Sequence, residues 1–279
     1  MSRTLHGLAL TASILCVSLL GSSTAWAWGR EGHRIVALIA ADRLTPAARA
    51  QVADILGADA RNAMEGTSIW ADEIRDQRPE TGRWHYVDIE ISAKGYDAAR
   101  DCPGGDCVVA QILKDERLVA DSRLATPARA EALRFLIHFV GDLHQPLHCA
   151  DHHDRGGNSV QVKLGGEEKN LHSVWDTAIV SGLGDDPVAV AADLDSQITP
   201  REAEAWRRGG PVDWANESFA IAKHDIYGPL RGAHAEDGAI QLPDDYVLRE
   251  RPVVAEQLEK AGVRLAMVLN RALSGPQTR

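Results

Sequence analysis

The chain has 279 residues, with 30 Lys+Arg against 40 Asp+Glu, a formal net charge of −10 and a pI near 5.5. Apolar residues make up 44% and charged residues 25%, which excludes a collagen-like or disordered chain. The acidic balance excludes a basic nucleic-acid-binding module, so a polyanionic substrate would need positive charge from elsewhere, such as metal ions.

The first 27 residues read as a secretory signal, not as part of a fold. Arg3 opens the segment, an apolar run follows from Leu8 to Leu20, and Ala25-Trp26-Ala27 is an A-x-A cleavage pattern. The run is too short to span a bilayer, and Cys16 lacks the preceding small residues of a lipoprotein signal. Cleavage after Ala27 makes Trp28 the mature N-terminus and places the protein in the periplasm or outside the cell.

Most of the chain beyond Ala27 has helical periodicity. Ile35, Val36, Leu38 and Ile39 recur at helical spacing up to Leu44. Thr45-Pro46 starts a second helix through Val52, Ile55 and Leu56, with Pro at the first helical position. Cys102 and Cys107 bracket a short loop, CPGGDC, and in an oxidising compartment this pair forms a disulfide that shapes a turn. Cys149 is then left over. Residues 107–121 are periodic, and Thr126-Pro127 opens a helix with Leu133, Leu136, Ile137 and Val140 on one side. Asn158–Leu164 alternates, Gly165-Gly166 follows, and a polar return to Leu171 completes a short hairpin. Residues 213–227 and 244–272 read as helix, and Asn216-Glu217-Ser218 matches a glycosylation sequon. There is no βαβ alternation, no Gly-rich phosphate loop and no repeat. The polar breaks near 101–106, 151–157 and 207–211 read as surface loops and force no domain boundary. The expected fold is a mostly α, single multi-helix domain over 28–279 with one short β-hairpin.

The placement of the 11 His carries the chemistry. His138 and Asp142 stand at i and i+4, so on a helix they share a face. His172 and Asp176 repeat that spacing, and His148 follows Asp142 just beyond Pro146, where a helix must end or kink. Taken singly, each pair is also what a surface ion pair or a capped core His looks like. Together they suit a divalent cation, with zinc favoured over manganese or iron for mixed imidazole and carboxylate ligands. Cleavage before Trp28 would free an α-amine with a pKa near ~8, able to ligate a metal when neutral. His33 lies five residues on and could join it; the alternative is that Trp28 packs the terminus and His33 caps a helix.

Six ordered segments carry a resemblance. They are WGREGH at Trp28, WADEIR (Trp70–Arg75), RWHYVDI (Arg83–Ile89), HFVGDLHQPLH (His138–His148), DRGGNSVQV (Asp154–Val162) and NLHSVWD (Asn170–Asp176). With these the chain resembles the secreted zinc-dependent single-strand-specific nucleases and 3′-nucleotidases of the S1/P1 type. The resemblance implies a phospholipase C/nuclease-like helical fold and three zinc ions. The first would be held by Asp72, His85, His138 and Asp142, the second by His148, His172 and Asp176. The third would be held by Trp28 through its amine and carbonyl, with His33 and Asp142, so that Asp142 bridges the first and third. It implies hydrolysis of single-stranded DNA and RNA to 5′-mononucleotides, by a water activated between zinc ions and with zinc stabilising the departing 3′ oxygen. Asp72, Asp142 and Arg75 would be the catalytic set, Arg75 holding phosphate or anchoring Asp72. Tyr86 would stack on a base, Asp88 would accept hydrogen bonds from it, and Asn158 would be their partner.

Two other functions fit the same residues less well. A zinc phospholipase C shares the helical fold, a terminal Trp ligand and a three-zinc cluster. That family, however, spaces its first His further from the terminal Trp and uses Glu where this chain has Asp176. A non-catalytic secreted zinc-binding protein would close its metal with four protein ligands, often Cys. Of the remaining residues, His144 is expected to orient a ligand, His152 and His153 to face solvent, and Trp175 to pack in the core. His224 and His234 have no evident partner. No membrane anchor or stable protein partner is implied.

Overall fold

The computed structural model describes residues 28–231, 235–236 and 238–274; the expected signal segment and His234 lie outside them. Helices dominate. The first half contributes α1 (Gly29–Asp42), α2 (Pro46–Leu56), α3 (Ala60–Thr67), the single turns α4 (Trp70–Glu73) and α5 (Ala98–Asp101), then α6 (Val108–Ala120) and α7 (Thr126–Leu143). After the sheet come the turns α8 (Leu171–Ser173) and α9 (Ile179–Ser181), joined through a wider turn at Val174–Ala178. The chain continues through α10 (Pro187–Gln197), α11 (Pro200–Trp206), α12 (Pro211–Ile221), α13 (Tyr227–Leu230) and the long α14 (Tyr246–Ala272).

Local chemistry sets these starts and stops. Thr45 accepts a hydrogen bond from the Ala48 N–H and Pro46 opens α2, while Gly57 ends it with φ 76°. Asp59, Asp186 and the Thr199–Glu202 capping box start α3, α10 and α11 in the same way. Periodicity does not single out α3, α10 and α11, because short helices with mixed faces give too few apolar repeats to stand out.

The core lies where α1 meets α14 and where α6 and α7 pack together. Ile35, Val36, Leu38 and Ile39 of α1 are fully buried. A Cβ at Gly262 of α14 would fall 2.4 Å from the Ile39 side chain, so the close crossing of α1 and α14 requires glycine there. Trp175 is buried as expected, its indole N–H donating to the Tyr246 hydroxyl at 3.1 Å.

The hairpin is present as β1 (Gln161–Leu164) and β2 (Glu167–Asn170), antiparallel across Gly165-Gly166. It starts three residues later than the alternation suggests, because Asn158–Val160 belong to the preceding turn. A second short hairpin, β3 (Ala235–Glu236) with β4 (Ala239–Gln241), completes a sheet of order β2-β1-β4-β3 in which β4 runs parallel to β1. Strands of two and three residues are too short to show a period.

Cys102 and Cys107 form the expected disulfide. Cys149 is a core residue whose thiol lies 3.3 Å from the Leu143 carbonyl; burial pushes its pKa up, away from reactivity. The sequon does not present a free Asn side chain. Asn216 lies within α12, accepts the Tyr96 N–H at 2.8 Å and donates to the Val212 carbonyl at 3.0 Å. Among the described residues, no helix is long and apolar enough to cross a membrane.

Candidate metal centre

Six separate stretches bring eight His and Asp side chains to one buried place. α7 carries His138 and Asp142 on one face, as the spacing predicts, and ends at Leu143 before Pro146. The turn α4 supplies Asp72, and a 3₁₀ helix, Pro79–His85, ends on His85. α1 supplies His33, and a second 3₁₀ turn, Pro146–Cys149, supplies His148. Asn170 caps the helix beginning at Leu171 by accepting the Ser173 N–H, which sets the face bearing His172 and Asp176. All eight side chains are buried.

Three groups result, in each of which the ligand atoms lie within 4.8 Å of one another: Asp72, His85 and His138; His33, His138 and Asp142; and His148, His172 and Asp176. In the first, His85 Nδ1 and His138 Nε2 face each other at 3.1 Å and stand 3.0 and 3.2 Å from Asp142 Oδ2. Both lie 3.6 Å from the Asp72 carboxylate. The other oxygen of Asp142 points elsewhere, 3.4 Å from His33 Nε2 and 3.6 Å from His148 Nδ1. In the third group His172 Nε2 lies 3.2 Å from both His148 Nε2 and Asp176 Oδ2. His33 stacks on His138 with ring centroids 3.8 Å apart, which a Cβ on Gly141 would prevent by meeting His33 Nδ1 at 2.8 Å.

Backbone carbonyls fix three of the tautomers. His138 Nδ1 donates to the Ser68 carbonyl at 2.7 Å, His148 Nδ1 to the His85 carbonyl at 2.9 Å and His172 Nδ1 to the Gly156 carbonyl at 2.7 Å. A carbonyl only accepts, so each Nδ1 carries a proton and each Nε2 is turned inward, its lone pair free to bind when the ring is neutral. Gln145 performs the same service for Asp176. Its Nε2 donates to Asp176 Oδ1 at 2.6 Å while its Oε1 accepts the Leu147 N–H at 2.6 Å, leaving Asp176 Oδ2 to face His172.

Burial lowers the pKa of His33 and His85, takes His148 to about 3 and His172 to about 4. Burial alone would lower His138 too, but Asp142 and Asp72 outweigh it and hold it up at about 9. Asp142 is held far below the usual range, against its burial, by His138 and His85. Burial pushes Asp176 well above that range, although the Gln145 hydrogen bond pulls it down. Among the buried atoms left without a partner are His33 Nε2, Asp72 Oδ2, Asp142 Oδ1 and Asp176 Oδ2. Each such atom costs about 1–3 kcal/mol if nothing binds it. Inward lone pairs, unpaired carboxylate oxygens and a wholly N/O donor set are the pattern that divalent cations satisfy. No Cys is in the set and each of the three groups has only three side chains, unlike a structural site closed by four protein ligands.

Trp28 sits beside these groups. Its ring is buried, its indole N–H donates to the Gly141 carbonyl at 2.7 Å, and its backbone N–H hydrogen-bonds Asp176. In the uncleaved chain that nitrogen is a peptide amide without a lone pair to offer.

A cleft of about 520 Å³ opens onto the centre, lined by His85, His148 and His172 and by Arg75, Tyr86, Asp88 and Asn158. Arg75 Nη1 lies 3.3 Å from Asp72 Oδ1, and the side chain borders the cleft. Tyr86 and Asp88 are partly exposed, with the Arg83 guanidinium 5.6 Å from the Tyr86 ring centre and 3.9 Å from Asp88. Burial raises the Asp88 pKa, with Asp151 adding to it and Arg83 opposing. Asn158 shares the wall, but its amide donates to the Arg155 carbonyl at 3.0 Å instead of to Asp88.

His144 departs from expectation. Its Nδ1 donates to the Val140 carbonyl at 2.7 Å and its Nε2 accepts from Arg264 at 2.9 Å, which pairs with Glu217 beside Lys260, so neither ring nitrogen is turned to a ligand residue. His152 and His153 are exposed as expected, and so is His224. Sequence patterns do not point to Gln145, Arg83, Arg155 or Asp151. Only Gln145 leaves a signal, as the residue before Pro146 in the stretch between Asp142 and His148.

Residues 28–274 match the family described as S1/P1 Nuclease. The chain is 38% identical to Nuclease P1 of Penicillium citrinum over 87% of its own length and 97% of that protein. It is 30% identical to Endonuclease 2 of Arabidopsis thaliana, over 95% of this chain and 97% of that one. It is 27% identical to Nuclease S1 of Aspergillus oryzae, over 94% and 98%.

Proposed function

The chain belongs to the S1/P1 nuclease family of phosphodiester hydrolases, and from that we propose that it is an exported trinuclear-zinc endonuclease. It cleaves single-stranded DNA and RNA to 5′-mononucleotides and removes 3′-phosphates from nucleotides at the same centre. The observation that carries this is Asp142, whose two carboxylate oxygens face different imidazoles, Oδ2 toward His85 and His138 and Oδ1 toward His33 and His148. One buried carboxylate shared in this way supports cations held close together.

Asp72, His85, His138 and Asp142 would hold one zinc ion, and His148, His172 and Asp176 a second. His33, Asp142 and Trp28 would hold a third once cleavage after Ala27 frees the Trp28 amine. Bound zinc supplies Lewis-acid stabilisation of phosphate charge and lowers the pKa of water to near neutrality. The chain does the rest. Arg75 keeps Asp72 in place and offers guanidinium N–H groups to a phosphate oxygen at the cleft wall. The Tyr86 ring stacks on a base, and Asp88 accepts from its edge; Asn158 borders the same pocket. Stacking needs a base already out of a duplex, which accounts for single-strand preference without a sequence code.

The test is 5′-mononucleotide release from single-stranded DNA by protein beginning at Trp28, with and without EDTA. Release that the chelator abolishes is expected. A zinc-loaded, correctly processed sample that releases nothing overturns the proposal and turns attention to phospholipid as the phosphodiester.

A further inference from the structure

The cleft has a neighbour. Asp88 lines the cleft, and four residues on, Ser92 lines a second, open groove of about 1060 Å³ between residues 92–100 and the helical segment 216–224. The connecting segment is held rigidly: the Asp151 N–H donates to the Ile89 carbonyl and the Ile91 N–H to the Asp151 carbonyl, both at 2.9 Å. Four extended residues span at most about 14 Å, so the groove begins within a few nucleotides of the cleft.

Its walls differ from the acidic average of the molecule. Lys94, Lys223 and Arg100 face it, Arg100 already paired with Asp101, and among the described lining residues the carboxylate is Asp97. Two of the cations are anchored. Lys223 Nζ donates to the Ala93 carbonyl at 2.9 Å, and Arg100 donates to the Gly95 carbonyl at 2.6 Å and to Asp101 at 2.7 Å. The Lys223 ammonium keeps donors to spare. Lys94 and His224 are exposed. Tyr96 presents a partly exposed ring whose backbone is fixed by Asn216 at 2.8 Å. Anchored cations next to a partly exposed aromatic ring form the general pattern of a single-strand binding surface. An acidic peptide would meet the same cations, but it would use neither the ring nor the nearness of the cleft.

We propose that this groove extends the substrate track, binding phosphates and an unstacked base of the single strand that leaves the metal cleft. The proposal rests on the nuclease function above, and its test separates the two. On zinc-loaded protein beginning at Trp28, kcat/KM is measured on a long oligodeoxythymidylate and on the thymidine dinucleotide across a salt series. The proteins compared are the unaltered chain, Lys94→Glu and Tyr96→Ser; Lys94 is exposed, so its change leaves the fold intact. The long strand should lose about threefold to tenfold with Lys94→Glu, with a shallower salt dependence. Tyr96→Ser should lose a similar factor with an unchanged salt slope. Both variants should cleave the dinucleotide at the original rate. Unchanged rates on the long strand, or parallel losses on both substrates, overturn the groove. Failure of the unaltered protein to cleave either substrate overturns the nuclease function instead.

Discussion

Gln145 is fully buried and joins two metal-site elements with one carboxamide, through Asp176 Oδ1 and the Leu147 N–H. Its removal would let Asp176 rotate away from His172 and loosen the turn that carries His148. Gln145→Ala is therefore expected to weaken metal binding at the His148–His172–Asp176 group by about 10–100-fold. Chelator competition with zinc counted per chain measures this, and an unchanged zinc affinity would refute the role. Asp142 is more exacting, because its two oxygens serve different imidazoles. Asp142→Asn keeps the shape and removes the charge, so it should lower zinc content by more than one ion per chain. Nuclease activity should fall by at least about 10²-fold. Loss of no more than one zinc would show that Asp142 is not shared. The i, i+4 spacings of His138–Asp142 and His172–Asp176 are legible in sequence because a helix face is a local property. Gln145 and the carbonyls of Ser68, His85 and Gly156 are not, since those partners meet only through the tertiary fold.

At the scale of elements, α6 carries a buried carboxyl, Asp115, outside the three candidate metal groups. Asp115 has an oxygen without a partner, and burial raises its pKa to about 7 against an opposing pull from Lys114. The folded state thus keeps a proton that the unfolded chain releases near pH ~4. Stability from this group is full below that point, declines as pH rises toward 7, and stays reduced above it. Asp115→Asn should raise the melting temperature at pH 8, by a few kcal/mol of stability at most, and leave it nearly unchanged near pH 4. Melting curves across pH test this; an equal effect at both ends would mean that the carboxyl is already ionised in the fold. The longer helices can be read from apolar periodicity and from Thr-Pro starts such as Thr45-Pro46. The four-stranded sheet cannot, because β4 pairs with β1 from far along the chain and offers only three residues as a signal.

For the whole molecule, the buried centre links metal, protons and stability. His144 and His148 are held down to about 3 and His172 to about 4, chiefly by burial. The unfolded chain takes up these protons near pH ~6.5, so the metal-free fold should lose stability as pH falls from there toward 3–4. Metal works against that loss, since it binds the neutral imidazoles of the folded state only. EDTA treatment at neutral pH should lower the melting temperature, by the equivalent of up to about 4 kcal/mol per site when free zinc is 1,000 times its Kd. The drop should shrink as pH falls, because His138, held up at about 9, must give up its proton before metal can bind. Calorimetry with and without chelator measures both, and an unchanged melting temperature would mean that the centre contributes nothing to the folded state.

Composition, helical periodicity and six ordered motifs were enough for a mostly helical domain, the two His/Asp pairs and the family, because each is written in local spacing. The tertiary structure alone decided which atoms of those residues converge. Asp72, His85 and His33 come from three separate stretches, and only the packing of α1 and α7 with the turns beside them brings them to the face that carries His138 and Asp142. It also decided that His144 belongs to the Arg264 network and that Asn216 belongs to the fold. A side chain's neighbours across the core depend on how the helices cross, and crossing is a property of packed surfaces that no local pattern encodes.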